Sequence, residues 1–153
     1  MGDVKLLLLI IISVTGLVLS AVFHFCSLFH IYEPPRELTI LIWIGAMVVI
    51  YPAIVIAKKT RREVNVKDYK KAVLGACPRW LLTINGLIIM YVIGYLIFLI
   101  FKKYVGSPAI DSGQGVMTNI SHGFAGHWMG IYSLAFAMLY TCKRLKETPG
   151  VNR

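Results

Sequence analysis

The sequence predicts an all-α polytopic membrane protein: four transmembrane helices in an up-down bundle, with a short interfacial amphipathic helix between helices two and three. Three observations predict it. The first is composition. Of 153 residues, 58% are hydrophobic and the mean hydropathy is +0.72, more apolar surface than a soluble domain of this size hides. The second is spacing. Four apolar runs, about 6–31, 38–57, 81–101 and 120–140, contain no Asp, Glu, Lys or Arg, and each is long enough to cross about 30 Å of hydrocarbon. The third is the placement of charge. Thirteen of the 16 Lys and Arg fall in the amino end, the segment 58–79 and the tail, and three in the other two connections. Cytoplasmic loops hold the excess of Lys and Arg, so both termini and the basic loop 58–79 are expected in the cytoplasm, at a plasma or inner membrane. The formal net charge of +9 is explained in the same way and does not call for nucleic acid. The length allows one domain, 1–153.

The first run begins after Lys5 in the manner of a signal peptide, with LLLLIII and then Ser20-Ala21. It continues apolar through Val22, Phe23 and Phe25, which reads as an uncleaved anchor. Pro34 and Pro35 stop it, since neither donates a backbone hydrogen bond. So short a link makes the first two spans an antiparallel hairpin. Pro52 is expected to kink the second span near its far end.

The segment 58–79 holds eight basic residues. Val66, Tyr69, Val73 and Ala76 recur at helical spacing with Lys67, Lys70 and Lys71 between them, the pattern of a helix lying at a membrane surface. Those three lysines are the candidate contacts to anionic lipid. Pro78 suits the first turn of the third span, and Trp80 suits its interface. Asn85 in that span needs a hydrogen-bond partner on a neighbouring helix. The connection 102–118 is rich in Gly and Ser and reads as an outer loop.

The last run carries the functional question. NISHGFAGHWMG holds His122 and His127 among Gly123, Gly126 and Gly130. A polar ring in hydrocarbon costs free energy unless it is partnered, whereas glycines allow close approach. All four histidines fall in the outer half of the membrane. At about 1.5 Å per residue His24 lies about 14 Å below Glu33, and His127 about 12 Å below Asn119. At steps of about 100°, Ser13, Gly16, Ser20, His24, Ser27 and His30 share one face of the first helix. Gly123, Gly126, His127, Gly130 and Ala137 share a face of the last.

His24 and His127 are therefore expected to face each other. In that position they are candidate ligands for haem b or a divalent transition metal. Without a cofactor, the rings are expected to bond to each other or to Tyr91, Ser20 or Ser27. His30, His122 and Glu33, near the outer boundary, form a candidate metal set. Three cysteines at 26, 77 and 142 show no CxxC spacing and offer no thiolate metal site. With no carboxylate in any span, a proton-driven transporter is disfavoured.

These features favour a small integral membrane protein that acts by binding or as an accessory subunit rather than by catalysis. Its expected partners are anionic lipid and a membrane protein or a second copy of itself. The alternatives are a haem b or metal protein using His24 and His127, and a membrane-embedded metal-dependent hydrolase at the outer face.

Overall fold

The computed structural model describes residues 3–29, 31–32, 35–63, 73, 75–105 and 113–147. For residues 3, 36, 63, 102–105 and 113–125 it describes the backbone alone. The described residues form four long helices: α1 (Asp3–Leu28), α2 (Arg36–Glu63), α3 (Arg79–Val105) and α4 (Gly113–Glu147). No strand occurs among the described residues. Three helices, α1 to α3, are long and apolar enough to cross a membrane. The fourth is longer, but its histidines, Asn119 and glycines dilute its apolar character.

The helix ends differ from the sequence expectation in ways the backbone explains. The first helix stops at Leu28, and the Cys26 carbonyl accepts the Ile31 amide at 2.9 Å, closing the turn ahead of the prolines. The Pro35 carbonyl accepts from the Leu38 and Thr39 amides at 3.1 and 3.2 Å, so α2 starts directly after it. Pro78 acts similarly for α3, accepting from Leu81 and Leu82 at 3.0 and 3.2 Å. It precedes the first turn rather than sitting in it. The second helix carries on through Lys58 to Glu63, so the start of the expected basic loop is helical. The fourth takes up part of the expected Gly/Ser loop, because no proline interrupts the chain between Pro108 and Pro149. Val73 lies in a helical turn closed by the Cys77 amide at 2.9 Å. Gly75 and Ala76 are helical as well, and residues 64–72 and 74 of the expected surface helix, with Lys67, Lys70 and Lys71, lie outside the described residues.

The rest of the chain packs around α4. It meets α1 most extensively, then α2, then α3, while α1 also packs on α2. Among the described residues the α3 backbone comes close to α4 alone. Directions follow from the contacts. Gly16 and His24 of α1 lie against Tyr132 and Gly126 of α4, so these two helices are antiparallel. Tyr95, Asn85 and Trp80 of α3 lie against Gly126, Ser133 and Tyr140, which is antiparallel again. Trp43, near the start of α2, meets Trp128, near the middle of α4.

The core is a seam of residues spaced three and four apart. The second helix contributes Ala46, Val49, Ala53 and Ile56, and the fourth contributes Trp128, Tyr132, Ala135, Leu139 and Cys142. That spacing keeps one face of each helix toward the other. Small residues on α2 let the backbones approach. Tyr132 is the largest wedge in the seam. Its ring lies over Gly16 of α1, and its hydroxyl donates to the Ile42 carbonyl of α2 at 2.8 Å. A Cβ on Gly16 would overlap the ring, and one on Gly45 would stand 2.5 Å from the hydroxyl oxygen. One side chain thus joins three helices through two glycines. Outward, α1 to α3 present large apolar side chains along their length, whereas Leu134 is the large apolar side chain that α4 exposes among the described residues.

Candidate functional site

The polar face expected on α1 is the face that the fold buries. Ser13, Gly16, Ser20, His24 and Ser27 are all buried. His24 is 1% exposed and sits where α1, α3 and α4 meet. Its Nε2 lies 2.7 Å from the Tyr91 hydroxyl oxygen of α3. With the ring proton on Nδ1, the phenol donates and Nε2 accepts; with the proton on Nε2, the roles reverse.

Aromatic rings enclose this bond. The Tyr95 and Tyr91 rings stand edge-on to His24, with centroids 4.9 and 5.6 Å away. The two tyrosines stack at 6.2 Å with 15° between planes, because they are one helical turn apart on α3. Phe25 closes another side, edge-on at 5.7 Å. Gly126 of α4 supplies the space. A Cβ there would lie 3.4 Å from His24 Cε1 and 3.7 Å from Tyr95 Cδ1. A methyl fits, whereas a branched side chain would displace the imidazole. Gly130, one turn on, faces Val92 of α3.

Thus the glycine face of α4 receives α3 and the tip of His24. His127 lies on α4 next to Gly126, and its side chain is exposed. The fold therefore brings α1 and α4 together as expected, buries His24 against Tyr91, and leaves His127 at the surface of the bundle. The backbone of His122 is in α4 without a described side chain, and His30 and Glu33 lie outside the described residues. Among the described residues no group of three His, Cys, Asp or Glu is arranged to hold a metal ion.

A second polar contact ties α3 to α4 nearer the far end. Ser133 Oγ donates to Asn85 Oδ1 at 2.6 Å, which supplies the partner that Asn85 needs in an apolar surround. Ser13 is satisfied within its own helix by the Leu9 carbonyl at 2.8 Å. Beyond the span 120–140, burial pushes the Cys142 thiol up from its ordinary range.

Tyr132 and Tyr95 carry much of this arrangement, and sequence reasoning did not single them out. A tyrosine in an apolar run has no distinguishing pattern, although Tyr91 and Tyr95, four apart, place two phenols on one face of the third span. Chemically, the site holds one buried imidazole hydrogen-bonded to a phenol. Compared with protein-family models, with curated proteins and with solved structures, the chain matches none.

Proposed function

We infer that this chain is a four-span integral membrane protein that acts by binding, as a scaffold or accessory subunit, with both termini and the segment 58–79 on the cytoplasmic side. The observation that carries this reading is the enclosure of α4. A helix with histidines and glycines is a poor solitary span, yet here its described face is covered by three more apolar helices. Two of its polar side chains bond inward, Ser133 to Asn85 and Tyr132 to the Ile42 carbonyl. Lipid then meets the outward faces of α1 to α3, which are apolar. Lys67, Lys70 and Lys71 are assigned to anionic lipid from their spacing alone.

The His24–Tyr91 bond ranks this reading above haem b or a transition metal at His24 and His127. A metal taking Nε2 of His24 would first have to displace the phenol, leaving it without a partner inside the bundle. A hydrolase at the outer face would draw on His30, His122 and Glu33. The side chains of all three lie outside the described residues.

The deciding experiment is visible absorption together with metal analysis on protein purified in mild detergent. The binding reading expects no Soret band and no stoichiometric metal. Haem or metal at one equivalent, lost on His24→Ala and on His127→Ala, would replace it with the cofactor reading.

A further inference from the structure

The directions of the helices gather the basic residues at one end of the fold. Lys5 opens α1, Lys58, Arg61 and Arg62 close α2, Arg79 opens α3, and Lys146 lies in the last turn of α4. All six side chains are exposed. Their orientation is more informative than their number. On α2, Tyr51, Ile54 and Val55 are exposed apolar residues. Lys58 and Arg62 follow at helical spacing and continue the same stripe within an arc of about 100°. Thr60, on the opposite side of that turn, is buried. On α3, Arg79 heads the exposed stripe of Leu82, Gly86 and Met90. Trp80 beside it is half exposed, as suits a residue at the boundary between acyl chains and headgroups. The cations thus extend the lipid-facing faces sideways, rather than pointing away from the bilayer along the bundle axis.

The geometry points to headgroup-binding positions for anionic phospholipid at the lipid-facing ends of two helices, Lys58 and Arg62 on α2 and Arg79 on α3. This assignment rests on the membrane reading above but is separate from the lysines at 67, 70 and 71. Long basic side chains lay their methylenes along the apolar stripe and put the charge at phosphate depth. Arginine also accepts phosphate oxygens on two nitrogens. An acidic protein would need cations that project beyond the headgroups, whereas these continue the stripe that touches the acyl chains.

The test is native mass spectrometry of the full chain, released from nanodiscs of equal phosphatidylglycerol and phosphatidylcholine. The retained lipid is expected to be enriched in phosphatidylglycerol by about fivefold over the bulk ratio. The variant K58Q/R62Q/R79Q is expected to return to the bulk ratio, while K58R/R62K/R79K and K67Q/K70Q/K71Q keep the enrichment. Retention at the bulk ratio by the native chain would overturn the assignment. So would enrichment that survives K58Q/R62Q/R79Q, or that is lost instead with the 67, 70 and 71 changes. A poly-glutamate peptide bound with no enrichment of lipid would mark an acidic protein surface and overturn it too. A chain that alkaline carbonate strips from membranes would sink the membrane reading and this proposal together. An inserted chain at the bulk ratio sinks this proposal alone.

Discussion

Replacing Gly16 by alanine is the most informative single change. The added methyl would occupy the volume of the Tyr132 ring, whose Cδ1 lies 2.6 Å from the position that Cβ would take. The ring has nowhere to go. It is 2% exposed, its hydroxyl is held by the Ile42 carbonyl at 2.8 Å, and Gly45 leaves no slack on the α2 side. Overpacking of this kind costs about 1–3 kcal/mol. Alanine in a helix interior returns up to about 1 kcal/mol relative to glycine. With the full return, the net expectation is a loss of up to about 2 kcal/mol.

Gly86 and Gly94 provide the control, since a Cβ at either meets nothing within 4 Å. Gly86→Ala and Gly94→Ala should be neutral or stabilising by up to about 1 kcal/mol. Combining Gly16→Ala with Tyr132→Leu should cost less than the sum of the two, with a coupling of about 1 kcal/mol or more. The assay is reversible unfolding of the purified protein in mixed micelles of increasing denaturing detergent, followed by circular dichroism. The wedge would be refuted if Gly16→Ala matched or exceeded the native chain in stability, or if the double variant were strictly additive.

Three further expectations follow from the same contacts. His24→Ala and Tyr91→Phe should each destabilise by about 1–3 kcal/mol, and the pair should be less than additive in the same unfolding assay; strict additivity would mean that the bond contributes nothing. Reporters at either terminus or within 58–79 should read as cytoplasmic and reporters within 106–112 as external, and an external reading in the basic segment would reverse the orientation. Cys142 alkylation in the folded protein should lag behind that of a free thiol at pH 8. Burial raises its pKa, so the thiolate fraction is small there and grows only at higher pH. Mass spectrometry of maleimide labelling reads this, and labelling at the rate of free cysteine would contradict the burial.

Some of this architecture is legible in the residues alone. Apolar runs and prolines predict four helices with their order, because length, composition and missing backbone donors are local properties. Periodicity on α1 picks out Ser13, Gly16, Ser20, His24 and Ser27 as one face, and that face is buried. Asn85 was expected to bond to another helix, and Tyr91 was among the expected partners of His24; both contacts are present. Periodicity names a face without naming its neighbour. The glycines of α4 could accept either α1 or α3, and the choice rests on ring volumes elsewhere. Tyr132 fills the gap toward α1 and α2, Gly130 turns to Val92 of α3, Gly126 is shared by His24 of α1 and Tyr95 of α3, and His127 is carried to the surface. The reach of α2 to Glu63 and of α4 back to Gly113 also escaped sequence reading, because polar residues can extend a helix beyond its apolar run. Where the helices lie, which glycine meets which ring, and which histidine is buried are decided by packing among residues far apart in the chain.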